Sequence, residues 1–285
     1  MNRKDFRFFE RLRVRWAEVD MQKIVFNGHY LMYFDTAVAG YWRALALPYH
    51  ETMELLRGDL YVRKATVEYL GSARYDDQCE VGMRCARIGN SSVVFEAALF
   101  RGETELVRGE LVYVFADPAT QTSQPVPTEL RAVLQAYEAG ELMLDVRTGT
   151  WEEIGREAQK IRSAVFVAEQ KIPAELEWDA ADSNAVHVVA FNRFGMPLAT
   201  GRWIEDAPGV AKVGRMAVDA AMRGGGVGRA VLQALMQSAR EQGKTEVQLN
   251  SQVSAVPFYA RTGFVARGQV FDEAGIPHQA MTRSL

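Results

Sequence analysis

"GHYLMYFDTAVAGYWRALAL" occupies residues 28–47, and its reading decides the architecture of the first half of the chain. The stretch is rich in helix formers, with apolar side chains on most faces of a helix drawn through it. A helix apolar nearly all round belongs in an interior. What surrounds it is sheet. Upstream, "FFERLRVRWAEVD" has strand character over residues 8–18. Downstream come "YVRKATVEYLGSA", "QCEVGMRCARIGN", "SSVVFEAALFRGE" and "ELVRGELVYVFADP". These are four strand-like runs separated by Gly, Asn, Asp and Ser, with "IGNSS" and "RGETE" as hairpin turns. Strand, long helix, four strands predicts one antiparallel sheet wrapped around one buried helix, an α+β layout.

"DPATQTSQPVP" at residues 117–127 breaks regular structure. "TELRAVLQAYEAGE" then reads as a short helix with Thr128 as its N-cap. The chain changes character at about Gly140, so the expected domains are residues 1–140 and 141–285. The second opens on a helical segment from Trp151. A hairpin about Phe194 and Gly195, a further strand, an amphipathic helix closed by Gly243 and more strands follow, a mixed α/β pattern.

The 285 residues are 48% hydrophobic and 24% charged, with net charge -3, an ordinary globular composition at two-domain length. Neither half has a basic excess, so no nucleic-acid partner is expected. Arg3, Lys4, Arg7, Arg11, Arg13 and Arg15 are interrupted by Asp5 and Glu10 and read as an edge strand. No window approaches a membrane span, and the first residues lack the apolar core of a signal peptide. Cys79 and Cys85 are the only cysteines. They make neither a disulfide scaffold nor a paired metal-ligand motif, so reduced thiols in a cytoplasmic protein are expected, with no metal.

"MRGGGVGRAV", residues 222–231, sits between a strand at 213–218 and a helix beginning near Val227. A glycine loop feeding a helix N-terminus is an anion site, because bare amides converge there and the helix dipole adds positive charge. Gly224, Gly226 and Gly228 would let a pyrophosphate lie against the main chain, and Arg223 and Arg229 would add charge-assisted hydrogen bonds. A Walker loop is excluded by the missing Gly-Lys-Ser/Thr. A dinucleotide fingerprint fits poorly because the preceding strand follows a hairpin. For the glycines alone, a flexible surface turn is the alternative.

The surroundings add more. The segment resembles the GNAT N-acetyltransferase superfamily, whose Arg/Gln-x-x-Gly-x-Gly/Ala signature stands here from Arg223 through Gly226 to Gly228. The family's aromatic-Tyr-x-x-x-Gly-Phe run stands as Phe258, Tyr259, Gly263 and Phe264. With "IRSAVFVAEQKIP", "HVVAF" and "GIPHQAM", the resemblance covers about residues 141–285. It implies acetyl-CoA as acyl donor and an amine as acceptor. The main chain at Met216, Ala217 and Val218 would meet the pantetheine arm. The backbone of Gly224, Gly225, Gly226, Val227, Gly228 and Arg229 would hold the pyrophosphate. Tyr259 would protonate the departing thiolate. The general base stays open among Glu177, Asp182, His187, His278 and a relaying water.

A second signature lies in "VDMQKIVFNGHYLMYFD", residues 19–35. Asp20 falls between a strand and a helix starting near Asn27. A carboxylate there can face a carbonyl, and the Asn27 and Gly28 amides would polarise it as an oxyanion hole does. It would attack a thioester or activate a water. Residues 8–138 resemble the hotdog-fold thioesterases of the 4-hydroxybenzoyl-CoA thioesterase type. Their Asp-x-x-Gly-Ile/Val-Val-aromatic-x-x-x-Tyr motif stands here from Asp20 to Tyr30. Lys23 replaces the glycine. At positive φ a lysine costs about 1 kcal/mol, so the loop is expected to differ. A helix-capping role is the alternative for Asp20. His29 and Asp35 read as structural, and Arg63 and Lys64 as either CoA-phosphate contacts or a solvated strand face. Hotdog sheets leave an edge to cover, and the resemblance implies a homodimer or higher homo-oligomer. The expectation is a bifunctional enzyme that hydrolyses an acyl-CoA in its first domain and transfers acetyl to an amine in its second. The alternative leaves the hotdog domain to oligomerise the chain or sense acyl-CoA.

Overall fold

The computed structural model describes residues 1–273 and 275–285, with main chain only at residue 176. It divides into two compact units, Met1–Met143 and Leu144–Leu285.

The first unit contains β1 (Phe8–Arg13), α1 (His29–Ala44), α2 (Tyr49–Leu56), β2 (Asp59–Tyr69), β3 (Gln78–Ile88), β4 (Ser92–Arg101), β5 (Thr104–Ala116) and α3 (Thr128–Glu138). The strands form one sheet in the order β1-β3-β4-β5-β2, antiparallel throughout. Tyr30, Tyr33, Phe34, Ala37, Tyr41 and Trp42 of α1 are buried. Phe34 approaches the sheet at Gly109, where a β-carbon would lie 2.6 Å from its ring and 2.8 Å from the Thr66 carbonyl oxygen. Helix and sheet therefore form the expected hotdog arrangement.

Three details depart from expectation. α1 is not enclosed: Leu31 and Met32 are 39% and 55% exposed, because a single sheet covers only one side of a helix. β1 stops at Arg13. The Val14 amide turns to the Asp77 carbonyl, and residues 16–18 close into a 3-10 turn. Thr128 is the first residue of α3, and Pro127 holds the cap position.

The second unit contains β6 (Leu144–Gly149), α4 (Trp151–Arg162), α5 (Ala174–Glu177), β7 (Val186–Asn192), β8 (Pro197–Ala207), β9 (Val210–Val218), α6 (Val227–Glu241), β10 (Glu246–Gln252), α7 (Val256–Arg261), β11 (Val265–Glu273) and β12 (Ile276–Ser284). Its seven-stranded sheet has the order β11-β12-β10-β9-β8-β7-β6, and β9–β10 is parallel. Ile154 and Ala158 of α4 pack on Val189 and Phe191 of β7. α6 packs on the other face, where Gly201, paired with Val188, makes room for Val231 and Leu235. α6 ends in a Schellman motif: the Gly243 and Lys244 amides return to the Arg240 and Ala239 carbonyls, with Gly243 at φ +74°. The sheet is therefore mixed, as the GNAT resemblance implies.

Candidate functional site

In the second unit the site is built by strands that part. β9 and β10 pair only from Val210 to Val213 and from Glu246 to Leu249, so the remainder of β9 has no strand neighbour on that side. The pairing of β9 with β8 is also irregular. Thr200 faces Ala217 while Arg202 faces Gly214, so two residues, Arg215 and Met216, bulge against one. Arg215 takes φ +53° to do so. Bulges re-aim main-chain groups beside functional sites. A cavity of about 590 Å³ opens here, lined among others by Phe166, Gln170, Glu177, Met216, Tyr259 and His278.

The glycine loop follows β9. Gly224 and Gly226 stand at φ +84° and +85°, conformations that only glycine takes without strain. The Gly225 amide bonds to the Met222 carbonyl, and the Ala230 amide makes the first bond of α6 to Gly226. Gly228 brings α6 against the strand end, since a β-carbon there would lie 3.0 Å from Val218. Among the described residues, the Gly226, Val227, Gly228 and Arg229 amides have no hydrogen-bond acceptor. They are the orphan donors of a helix start. Arg223 is engaged in a bidentate pair with Glu169, at 2.6 and 2.7 Å. Its guanidinium holds the Glu169 carboxyl below the usual carboxylate range. Arg229 is exposed on the first turn of α6.

Tyr259, on α7, is buried against Phe258 and Phe264. Burial pushes its hydroxyl up to about 12, so the phenol keeps its proton at neutral pH. Of the candidate bases, two lie outside the cavity lining. Asp182 is taken by Arg162 at 2.7 Å and by Arg202. His187 is buried, with Nε2 at 2.9 Å from the Asp182 carbonyl oxygen, and burial lowers its pKa. Glu177 and His278 line the cavity. Glu177 is fixed by Arg162 at 2.5 Å and Arg215 at 3.4 Å, and burial still leaves it above the ordinary carboxylate range. Arg162, 1% exposed, ties α4 to the 177–182 segment and stacks over Trp151 and Trp178. The sequence carried no signal for this buried ionic web.

In the first unit, Asp20 starts a tight turn. Its amide donates to the Ile24 carbonyl, the Lys23 amide returns to the Asp20 carbonyl, and its Oδ1 accepts from the Gln22 amide at 2.7 Å. Lys23 itself adopts φ +62°. The loop does not rearrange to avoid the lysine, which carries the strain instead. Bridges from Val19 to Val25 and from Ile24 to Arg74 pin the loop. Beneath it lies Glu18, a residue that sequence reasoning missed. It is 3% exposed and accepts from the Arg15 amide and the Tyr33 hydroxyl, each at 2.7 Å. Burial pushes its carboxyl up, but these bonds and the Arg15 side chain outweigh burial and leave it low. Asn27 and Gly28 are exposed, and neither amide has an acceptor among the described residues. The Tyr30 hydroxyl accepts from the Ala73 amide at 3.1 Å, and burial raises its pKa, with a small contribution from the Asp20 charge. Cys79 and Cys85 are free thiols, pushed by burial up to about 11 and about 12. No described helix is long and apolar enough to cross a membrane.

Comparison with known proteins agrees with both halves. Residues 152–285 match the acetyltransferase (GNAT) domain family, and residues 22–108 match the thioesterase superfamily. The second match begins two residues beyond Asp20. The chain is 37% identical over 134 residues to the uncharacterized N-acetyltransferase YjcF of Bacillus subtilis (strain 168), covering 46% of this chain and 94% of that one. It is 26% identical over 126 residues to the acyl-CoA thioester hydrolase YbgC of Escherichia coli O6:H1, covering 42% and 90%. A crystal structure of an acyl-CoA N-acyltransferase from Pseudomonas aeruginosa superposes with TM-score 0.44 at 32% identity, covering 49% of this chain and 99% of that one. Through its second unit the chain belongs to the GNAT acetyltransferase family, and in its first unit residues 22–108 match the thioesterase superfamily model.

Proposed function

We propose that the second unit transfers acetyl from acetyl-CoA to an amine. The observation that carries this reading is the parting of β9 from β10 beside a glycine loop with free amides, with Tyr259 lining the same cavity. Met216, Ala217 and Val218 lie on the stretch of β9 that has no β10 partner, where strand-like hydrogen bonding suits the amides of a pantetheine arm. Gly224, Gly225, Gly226, Val227, Gly228 and Arg229 surround the start of α6 and suit a pyrophosphate. Tyr259 donates its proton to sulfur as the C–S bond breaks. Tyr259→Phe keeps the packing and removes that proton, so kcat falls while the acetyl-CoA Kd stays. An unchanged kcat refutes the role.

The first unit, on the same reading, hydrolyses an acyl-CoA. The Asn27 and Gly28 amides receive the carbonyl oxygen, and Asp20 attacks the thioester carbon or activates the water that does. Thiol release from acyl-CoAs by Asp20→Asn tests this. Hydrolysis persisting at the wild-type rate excludes Asp20. A second reading, in which the unit oligomerises the chain or senses acyl-CoA, is favoured by one observation: the Asp20 carboxylate already caps its own turn at Gln22. Thioester binding without hydrolysis by the wild-type protein would select it. The exposed edge β2 and the Leu31–Met32 side of α1 suit a homodimer, and a cytoplasmic setting fits the two free thiols.

A further inference from the structure

We infer that His278 is the general base of the acetyl-transfer site, taking the acceptor's proton on Nε2. This rests on the acetyl-transfer reading above and assigns the one role that it leaves open.

Three observations converge on this residue. The first is its tautomer. His278 Nδ1 lies 2.8 Å from the Ile276 carbonyl oxygen. A carbonyl can only accept, so Nδ1 carries the hydrogen. In the neutral ring Nε2 therefore holds the lone pair, as a base requires. No described residue occupies that nitrogen with a hydrogen bond. The second is its support. The ring is half-buried and lies nearly parallel to Phe271, with an interplanar angle of 28° and centroids 6.2 Å apart. On β12 it is in register with Gln252, the last residue of β10, at the end where β10 has left β9. Ring orientation is thus set by a carbonyl on one side and an aromatic face on the other. The third is its position in the lining of the cavity shared with Met216 and Tyr259.

The rivals are otherwise occupied. Asp182 and His187 lie outside the lining and bond to each other's segment or to arginines. Glu177 reaches the cavity, but its carboxylate is neutralised by Arg162 and Arg215. Both of its oxygens are thus engaged by guanidiniums, Oε1 by Arg162 and Oε2 by Arg215, and neither is turned to an acceptor. Of the four candidates, only His278 combines a free lone pair with a place on the wall.

The proton balance follows. An aliphatic acceptor arrives as an ammonium. Nε2 takes one proton, and the freed nitrogen pair forms the N–C bond to the acetyl carbonyl. The C–S bond then breaks, and the thiolate takes the Tyr259 proton. The second proton shed by nitrogen restores the phenol, and the His278 imidazolium releases its own to solvent. One amide, one thiol and one proton result.

The test uses the full chain with acetyl-CoA and two probe acceptors, benzylamine, protonated at neutral pH, and aniline, neutral there. Two variants are compared. His278→Ala removes the ring. His278→Asn keeps a donor for the Ile276 carbonyl and lacks a basic nitrogen. Both are expected to bind acetyl-CoA with a Kd within twofold of wild type and to lose about 100-fold or more in kcat toward benzylamine, the range for a missing general base. The loss toward aniline is expected to be much smaller. A His278→Asn enzyme that keeps kcat within a few-fold overturns the assignment, as does an equal loss for both amines. Wild-type protein that binds acetyl-CoA yet acetylates neither amine refutes the acetyl-transfer reading itself and carries the assignment down with it.

Discussion

Gly226→Ala separates a structural glycine from one that makes room for a ligand. Gly226 stands at φ +85°, and a β-carbon there meets nothing within 4 Å. No clash opposes the alanine, so its cost to folding is conformational. Left-handed backbone costs an L-residue roughly 1–2 kcal/mol. Loss of glycine's freedom in the unfolded chain returns about 0.4–1 kcal/mol. The net is about 1 kcal/mol, a few degrees in Tm for a unit this size. Gly243, at the other end of α6, is a matched control, with φ +74° and also nothing within 4 Å. Gly243→Ala should cost the fold the same. The two differ only in what the new methyl faces. At 226 it stands on the residue that opens the run of free amides of α6. A hydrogen bond to a charged group is worth about 1.5–3 kcal/mol, so displacing a phosphate from one amide weakens acetyl-CoA binding about 10- to 100-fold. Calorimetric titration with acetyl-CoA, paired with thermal melts, reads both quantities. Equal Tm losses with a Kd changed only by Gly226→Ala are expected. Equal Kd values for the two variants would refute the argument.

Other outcomes follow from the same geometry. Arg162→Met leaves Glu177 and Asp182 as buried carboxylates without their shared partner, and should cost the second unit about 3–5 kcal/mol in chemical denaturation. His187 is held neutral by burial, with its folded pKa below the ordinary 6.5. The unfolded chain therefore binds the proton first, so the second unit's stability is complete above about pH 6.5 and falls on acidification below it. Replacing His187 with Gln should flatten that slope in pH-dependent melts. Met32→Glu, at an exposed position of α1, should leave the melting of the first unit unchanged while halving the mass measured by light scattering. A monomeric wild-type chain contradicts that prediction.

Much of the fold was legible because it is local. Strand alternation, the hairpin turns at 88–92 and 101–105 and the helical run from residue 28 each follow from neighbouring residues. So does the glycine loop, where Gly224 and Gly226 take positive φ as a tight turn into a helix requires. What escaped depends on partners distant in sequence. Whether α1 is enclosed depends on how many layers cover it, which its own composition does not specify. Arg162 meets carboxylates 15 and 20 residues away, and nothing in "QKIRSAV" marks that arginine as the one to be buried. Glu18 sat at the end of an apparent strand and carried no sign that Tyr33 would reach it. Lys23 was visible as an oddity, but whether loop or lysine would yield was decided by the bridges on either side. The four candidate bases were equal in sequence and became unequal only when their hydrogen-bond partners were known.

The central claim is that amides at strand-to-helix junctions grip a CoA thioester. Its most direct test is a crystal structure of the full chain soaked with CoA. The account predicts the pyrophosphate within hydrogen-bond reach of the Gly226, Val227 and Gly228 amides and the thiol end in the cavity beside Tyr259. Density for CoA elsewhere on the second unit, with those amides covered by side chains, would contradict it.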